Sequence, residues 1–249
     1  MAGGAAKKRI DQLLVDRGLA ESRTRAQAYV MAGLVFTGER RIDKSGQQIA
    51  EDSPIEVRGQ DHPWVSRGGL KLAHALDHFG LSPQGRICID VGASTGGFSD
   101  VMLHDAAEKI YAVDVGRGQL AWKLRQDTRV IVLEKTNARY LTRDIIPDTI
   151  GFIGCDASFI GLQTVLPAAM TLAEPDALMV ALIKPQFEVG RGQVGKGGVV
   201  RDPALHREVC VRIEEWISGM PDWRVLGLTQ SPIKGPEGNI EFLIAACKQ

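Results

Sequence analysis

The sequence predicts an α/β protein whose larger part is a doubly wound, mostly parallel sheet with helices on both faces. Seven apolar runs of strand length lie between residues 87 and 247, and helical stretches separate most of them. The first run, 87–91, leads into a glycine-rich loop and then a helical pattern, which is the outline of a nucleotide-binding turn. Residues 1–60 carry only short local elements, so we expect a separate small α+β domain there.

Composition limits the class of protein. The chain has 249 residues, and 30 Lys+Arg balance 30 Asp+Glu, which excludes a wholly basic nucleic-acid coat protein but leaves room for a local basic patch. No apolar run approaches the ~18 residues of a membrane helix, and the first residues lack an apolar signal core. The four cysteines form no C-x-x-C pair. We therefore expect a cytoplasmic monomer with no membrane contact and no metal site, with Cys88 and Cys155 in the core.

The small domain begins with two predicted helices. The first ends at Gly18, a typical position after a helix, and Ser22 is placed to cap the second, which stops before Gly33. Two strands flank a turn at Gly38, and a short strand follows at 55–57.

Charge is uneven within this domain. Residues 1–45 contain nine basic and five acidic residues, a net charge of +4 on a neutral protein. On charge alone this segment is either a solvated face or a phosphate-contacting patch. The candidate RNA contacts are Lys7, Lys8, Arg9, Arg23, Arg25, Arg40 and Arg41.

The stretch RIDQLLVDRGLAESRTRAQAYVMAGLVFTG, residues 9–38, favours the second reading. It resembles the small RNA-binding domain shared by a small-subunit ribosomal protein, tyrosyl-tRNA synthetases and many pseudouridine synthases. The matching positions are Arg9, Asp11, Leu14, Gly18, Leu19, Ser22, Arg23, Ala26, Gly33 and Gly38. The resemblance implies that the domain binds RNA.

Residues 61–65 are expected to be the linker, and residues 66–249 the α/β domain, which begins with a helix. Its strands are predicted at 87–91, 109–115, 130–134, 149–156, 177–184, 223–229 and 239–247. The segment SPIKGPEG between the last two strands is too short for a crossover helix, so these strands should form an antiparallel hairpin at one edge.

Charged side chains stand at or near the ends of four predicted strands: Asp90, Asp114, Asp156 and Lys184. Because ligands of such sheets bind beyond the carboxyl ends of the strands, these side chains should share one site.

The glycine loop helps to choose the ligand. Gly92-Ala93-Ser94-Thr95-Gly96-Gly97 lacks the Gly-Lys-[Ser/Thr] of a triphosphate loop, and its G-x-x-x-G-G spacing is not G-x-G-x-x-G. S-adenosylmethionine has no phosphate and needs an acid on the next strand for its ribose, where Asp114 stands, with Asp90 setting the loop. Asp114 alone would serve NAD equally well.

The set Lys71, Asp156, Lys184 and Glu241 resembles the Lys-Asp-Lys-Glu tetrad of FtsJ-like RNA ribose 2′-O-methyltransferases. The segments VSRGGLKL, DVGASTGGFSD, AVDVGRGQLAW, NAR, DASFI, IKPQFEVGRGQVGKGGVVRDP and GPEGNIEF further resemble the TlyA family, some members of which are labelled hemolysin A. Only Gly68-Gly69-Leu70 depart from the family's usual residues before the lysine.

That resemblance implies an S-adenosylmethionine-dependent enzyme with a Rossmann-like methyltransferase sheet, which methylates a ribose 2′-hydroxyl, that of a cytidine, in the rRNA of ribosomal subunits. It implies a catalytic tetrad and adds Arg67 to the RNA contacts. The implied cofactor-binding residues are Asp90, Gly92, Ala93, Ser94, Thr95, Gly96, Gly97, Phe98, Asp114, Val115, Asn137 and Asp156.

In the expected mechanism Lys184 orients and deprotonates the 2′-hydroxyl, which is a poor nucleophile while it keeps its proton. Asp156 holds Lys184, Lys71 assists the proton transfer or stabilises the developing oxyanion, and Glu241 positions Lys71 or the ribose. The glycine-rich segment 185–202, with Arg191, Lys196 and Arg201, is expected to be a mobile basic flap.

Three other functions stay open. Asp156-Ala157-Ser158-Phe159 shares the acid and the aromatic of the D-P-P-F motif of base N-methyltransferases, but not its prolines. The hemolysin label suggests a membrane-active protein, although no strongly basic amphipathic segment is evident. A catalytically inactive RNA chaperone is the third. The position of the transferred methyl group, on the base or on the ribose, distinguishes a base N-methyltransferase from a ribose 2′-O-methyltransferase.

Overall fold

The computed structural model describes residues 7–17, 19–20, 22–57, 62–235 and 238–249, apart from the side chain of Arg191. Gly18, the predicted end of the first helix, lies outside these ranges. The chain divides into two compact units, residues 1–63 and 64–249. Trp64 and Val65, which the sequence assigns to the linker, pack within the second unit: Val65 is buried, and its N–H donates to Asp100 Oδ2 at 2.8 Å.

The first unit packs two helices against short strands. The Ser22 hydroxyl accepts the Arg25 N–H at 3.2 Å and caps the second helix, as predicted. Ile10, Leu14, Val35 and Ile42 are fully buried in its core. The elements are β1 (Lys7–Arg9), α1 (Ile10–Asp16), α2 (Arg23–Met31), β2 (Val35–Thr37), β3 (Arg40–Arg41), β4 (Gln48–Ala50) and β5 (Glu56–Val57).

These strands form two small antiparallel sheets. β2 pairs with β3 across the predicted turn and with β5 on its other side. β1 pairs with β4, and neither of these strands was predicted. Their three residues each are too few for an alternating apolar pattern to be recognised.

The second unit is built on a seven-stranded sheet, as predicted. Its strands are β6 (Ile87–Val91), β7 (Lys109–Val113), β8 (Val130–Leu133), β9 (Ile150–Cys155), β10 (Ala173–Ile183), β11 (Trp223–Gln230) and β12 (Phe242–Lys248). Their spatial order is β11-β12-β10-β9-β6-β7-β8. The pairs among β6, β7, β8, β9 and β10 are parallel. β12 is antiparallel to both β10 and β11, so the predicted hairpin occupies one edge of the sheet.

Helices cover both faces of the sheet. They are α3 (Gly68–Phe79), α4 (Gly97–His104), α5 (Trp122–Arg125), α6 (Leu162–Val165), α7 (Pro167–Thr171), α8 (Pro185–Glu188) and α9 (Pro203–Ser218). The connections around β8 are the least helical, because α5 has four residues and β8 is followed by a 3₁₀ turn at Ala138–Tyr140. Cys88 and Cys155 are fully buried, as predicted.

The last strand starts later than predicted, at Phe242 rather than at residue 239. The side chain of Asn239 takes part in a loop contact instead: its Oδ1 accepts the Val200 N–H at 3.1 Å, and its Nδ2 donates to the Gly198 carbonyl at 3.0 Å. Glu241 consequently lies immediately before β12, at the sheet edge where the parallel strands end.

Candidate active site

The loop after β6 turns sharply beside the end of β9. Gly92 has φ +81°, and a Cβ on it would lie 2.8 Å from Ala157 Cα, so a side chain there is excluded by both conformation and space. Asp90 is 1% exposed, and its Oδ2 accepts the Ser99 N–H at 2.9 Å and the Ser99 hydroxyl at 2.7 Å. Burial raises the pKa of Asp90 to about 7. Asp90 thus ties the loop to the first turn of α4.

Asp114 ties this loop to the next one. Its Oδ2 accepts the Ser94 N–H at 2.7 Å, and its Oδ1 accepts the Gly116 N–H at 2.6 Å. The carboxylate is therefore fixed at the end of β7, with lone pairs left for further donors.

A cleft of about 600 Å³ opens at these loops. Its lining includes six of the predicted cofactor-binding residues: Gly92, Ser94, Asp114, Val115, Asn137 and Asp156. Gln119 and Ile160 also line it and were not predicted, because neither stands at a strand end. The volume falls in the range typical of small-molecule sites.

The remaining predicted cofactor residues do not line this cleft. Phe98 is 2% exposed, and its side chain packs in the core between α3, α4 and the sheet. Ala93 is likewise buried. Gly96 and Gly97 allow the close packing of Leu124 and Ser66, respectively, against the start of α4, and the Thr95 carbonyl accepts the Ala121 N–H. The sequence of a glycine-rich loop does not show which of its residues face a ligand and which form the packing of the turn.

The four residues of the predicted tetrad meet at the edge of the sheet. Lys71 Nζ lies 2.8 Å from Glu241 Oε2 and 3.7 Å from Asp156 Oδ2. Lys184 Nζ lies 2.7 Å from Asp156 Oδ1. The charges therefore alternate along one chain, in the order Glu241, Lys71, Asp156, Lys184.

This chain of charges is largely removed from solvent. Lys71 is 7% exposed, Lys184 6% and Glu241 1%. Buried charges are tolerated when each has an opposite partner, which the alternation supplies. Asp156 is the member shared with the cleft, so the tetrad and the cleft form one site.

Two neighbours of Asp156 add to the site. Lys184 Nζ donates to Ser158 Oγ at 2.7 Å, a contact that the sequence did not predict, although Ser158 stands only two positions after Asp156. Phe159 lines the cleft, is 90% exposed, and has φ +64°, a strained conformation for a non-glycine residue. Its ring lies 5.0 Å from that of Phe187.

The segment after Lys184 is held at several points. The Glu188 Oε1 accepts the Leu162 N–H at 2.8 Å, and the Glu188 carbonyl accepts from Arg212 at 2.6 Å. Val200 is buried near the other end of the segment. Lys196 and Arg201 are exposed, and the side chain of Arg191 is outside the description.

In the first unit, two of the predicted RNA-contact arginines share a buried carboxylate. Asp11 is 0% exposed and accepts from Arg9 at 3.0 and 2.8 Å, from Arg23 at 3.0 Å and from Gln27 at 3.0 Å. These donors hold the pKa of Asp11 well below its usual range, with Arg9 contributing most. Arg9 and Arg23 keep about half of their side chains exposed, 43% and 54%.

The other predicted RNA contacts are spread over both units. Lys7 and Arg40 are exposed, Lys8 pairs with Asp16, and Arg41 Nε lies 2.7 Å from Asp43 Oδ1. The Arg25 guanidinium lies 5.1 Å from the centroid of the Tyr29 ring. In the second unit, exposed Arg67 donates to the Lys234 carbonyl at 3.1 Å. Across the ranges described, we find no helix with the length and apolar composition needed to cross a bilayer.

Known proteins match both units. Residues 64–248 match the FtsJ-like methyltransferase family, and residues 8–55 match the S4 domain family. A candidate rRNA methyltransferase of Bacillus subtilis, YqxC, is 50% identical over 96% of this chain and 85% of its own length. The 16S/23S rRNA (cytidine-2′-O)-methyltransferase TlyA of Mycobacterium tuberculosis is 44% identical over 96% of this chain and 90% of its own.

The solved structure of a candidate hemolysin from Streptococcus thermophilus superposes with a TM-score of 0.76 at 44% identity, covering 98% of this chain and 89% of that one. The architecture and these matches agree over nearly the whole length. The chain belongs to the FtsJ-like methyltransferase family, within the TlyA group that joins such a domain to an S4 domain.

Proposed function

We propose that this protein transfers a methyl group from S-adenosylmethionine to the 2′-hydroxyl of a cytidine in ribosomal RNA. The observation that carries the proposal is the buried chain of alternating charges that ends at Lys184, beside a cleft of cofactor size. The relative from Mycobacterium tuberculosis, named for this activity on 16S and 23S rRNA, supports the choice of acceptor.

The cleft fits S-adenosylmethionine. Asp114, fixed by two backbone N–H groups, can accept hydrogen bonds from ribose hydroxyls, and Val115 and Ile160 offer apolar surface. Gly92 brings the loop backbone close to the floor of the cleft without a side chain in the way. The cofactor supplies an electrophilic methyl group on a sulfonium sulfur.

We assign to Lys184 the activation of the nucleophile, which is the 2′-hydroxyl. Its ammonium is held by Asp156 Oδ1 and Ser158 Oγ, both at 2.7 Å, which fixes Nζ at the edge of the cleft. After losing a proton to solvent, the amine can accept the proton of the 2′-hydroxyl as the oxygen attacks.

Lys71 and Glu241 act on Lys184 indirectly, through Asp156. Lys71 Nζ faces Asp156 Oδ2 on one side and Glu241 Oε2 on the other, so it keeps the shared carboxylate turned towards Lys184. We therefore assign Lys71 and Glu241 as positioning residues.

Phe159 is placed to hold the target nucleotide. A 90% exposed aromatic ring at the mouth of the cleft offers a flat apolar surface to a base that has left its stack. The exposed basic residues of the S4 domain would bind the phosphates of the same RNA. A protein with this substrate works where ribosomes are, which agrees with the expected cytoplasmic location.

Replacing Lys184 tests the proposal. We expect Lys184→Ala to keep S-adenosylmethionine affinity, measured by calorimetry, and to lose about 10²–10⁴ in the methylation rate of ribosomal subunits, since general-base groups contribute that much. Lys248→Ala is the matched control, because Lys248 lies on β12 and donates to the Ala173 carbonyl outside the site. Turnover of Lys184→Ala within about tenfold of the wild type would remove Lys184 from the reaction.

Mass spectrometry of the nucleosides then locates the methyl group. A 2′-O-methylcytidine product supports the proposal. A base-methylated product favours the N-methyltransferase alternative, and leakage of liposomes by protein free of RNA and cofactor would favour the membrane-active one.

A further inference from the structure

A second pocket of about 440 Å³ lies where the start of α9 crosses β11 and β12, and we call it the α9 pocket. Phe242 lines it, whereas the preceding Glu241 reaches Lys71 on α3. Successive residues of an extended chain point to opposite faces, so the α9 pocket and the tetrad lie on opposite faces of the sheet. The core clusters agree, because α9 packs with Ile244 and α3 packs with Leu243.

The α9 pocket is nonetheless at the same edge of the sheet as the tetrad. Phe242 is paired with Ile183, the residue before Lys184. Gln230, also in the lining, is the last residue of β11. The α9 pocket therefore lies at the same end of the strands to which an RNA must come for its target ribose to reach Lys184.

The α9 pocket combines apolar surface with positive charge. Pro203, Leu228, Ile240 and Phe242 supply the apolar surface, and two exposed arginines, Arg201 and Arg207, supply the charge. The other lining residues are His206, Cys210, Thr229 and Gln230. In the part of the chain that the structure describes, neither guanidinium forms an ion pair. Such a pocket suits a ligand with an aromatic plane and an adjoining anion.

We propose that the α9 pocket receives a base of the substrate RNA that flanks the methylated nucleotide, while Arg201 and Arg207 contact the neighbouring phosphate. The inference rests on the proposed function and extends it to substrate recognition. The expected consequence is selectivity for the sequence or shape around the target rather than for the target base itself.

Two variants separate the volume of the pocket from its charge. Cys210→Phe places a ring in the space for the base and keeps both arginines, and Arg207→Ala keeps the space and removes one charge. For each we expect KM for ribosomal RNA to rise about tenfold, the scale of one stacked base or one charged contact, with kcat changed less than about twofold. Affinity for S-adenosylmethionine should be unchanged, which also shows that the variants fold.

Arg224→Ala is the matched control. Arg224 is exposed near the start of β11, at the end of the strand opposite to the α9 pocket. Its removal changes the net charge by the same amount as Arg207→Ala. This control should leave KM for RNA at the wild-type value.

Abasic substitution of the RNA identifies the occupant. Short RNA substrates with a single abasic residue on either side of the target are compared with the intact RNA. One such position should weaken methylation by the wild type about tenfold and should have little further effect on Cys210→Phe, because the two changes remove the same contact.

The outcomes distinguish the two levels of the proposal. If the wild type methylates rRNA but both pocket variants keep the wild-type KM, the pocket inference is wrong and the proposed function stands. If the variants lose activity on ribosomal subunits and not on free RNA, the occupant is a ribosomal protein and the inference is again wrong. A wild type that methylates no RNA would overturn both.

Discussion

Lys71 and Lys184 carry the same charge, yet their surroundings give them different tasks. Lys71 is enclosed between Asp156 and Glu241, two carboxylates. Lys184 contacts one carboxylate, that of Asp156, and the Ser158 hydroxyl, and its Nζ lies over the Phe187 ring, 6.0 Å from the centroid. These different surroundings support the proposal that Lys71 positions the carboxylates and that Lys184 meets the substrate.

Removal of Lys71 alone should therefore destabilise the second unit. Lys71→Ala leaves Glu241, 1% exposed, without its partner, and we expect a loss of about 3–5 kcal/mol in the free energy of unfolding. The double variant Lys71→Met/Glu241→Leu should recover most of that stability but not the activity. Urea unfolding followed by tryptophan fluorescence reports this unit, because Trp64, Trp122, Trp216 and Trp223 all lie within it. A double variant no more stable than Lys71→Ala would contradict the assignment.

Asp90 predicts a pH dependence of stability. Its pKa is raised from an ordinary 3.8 to about 7 by burial, so the folded protein binds this proton more tightly than the unfolded chain does. The contribution to stability is complete below pH 4 and is lost as the pH rises through about 7, amounting to roughly 4 kcal/mol at 1.36 kcal/mol per unit.

Asp90→Asn removes this titration while keeping an oxygen for the Ser99 N–H. Its free energy of unfolding should therefore improve relative to the wild type between pH 4 and pH 8, in denaturation series at each pH. Parallel pH profiles for the two proteins would show that Asp90 does not titrate in this range.

Among the elements, the connection between β11 and β12 packs directly against a residue of the site. Gly235 in this connection packs against the side chain of Glu241, and a Cβ on Gly235 would lie 2.6 Å from Glu241 Cδ. The described part of the loop thus confines the carboxylate that holds Lys71.

Gly235→Ala should move Glu241 and lower kcat while leaving S-adenosylmethionine affinity unchanged. We expect a loss of about tenfold to a hundredfold, since small displacements of positioned groups have effects of that size. Gly219→Ala is the matched control, because a Cβ there, after the end of α9, would come no closer than 3.4 Å to its neighbours. Equal rates for the two variants would mean that Glu241 has room to adjust.

Most strands were predictable and some elements were not, for physical reasons. Long apolar runs such as 87–91 and 150–155 are buried on both faces and appear directly in the sequence. Short strands such as β1 and β4 are specified by pairing across the chain, which no local pattern reports. Asp156 and Lys184 were predictable as charged residues at strand ends, and Lys71 and Glu241 from the resemblance to FtsJ-like methyltransferases. Ser158 and the α9 pocket were not, because they depend on how α9 and the loops pack.

At the scale of the whole molecule, the net charge is zero but the charged residues are unevenly distributed. The protein is neutral, but the S4 domain presents exposed basic residues such as Lys7 and Arg40. Binding to RNA should therefore weaken with salt despite the balanced composition.

Arg40→Ala tests this at the level of binding. We expect weaker RNA binding and a decrease of roughly 0.7–0.9 in the slope of log Kobs against log salt, the value for one phosphate contact. Arg224→Ala should leave the slope unchanged. A salt dependence that Arg40→Ala does not alter would exclude Arg40 from the phosphate contacts.

The position of β12 also sets an order in time. This strand lies between β10 and β11, and β11 pairs with no other strand of the sheet. The pairing of β10 and of β11 on this side therefore cannot form until residues 242–248 have been synthesised. Lys71, Asp156 and Lys184 emerge from the translating ribosome well before Glu241. A nascent chain thus carries Lys71, Asp156 and Lys184 before Glu241, so the alternating charges are complete only after residue 241 has been synthesised.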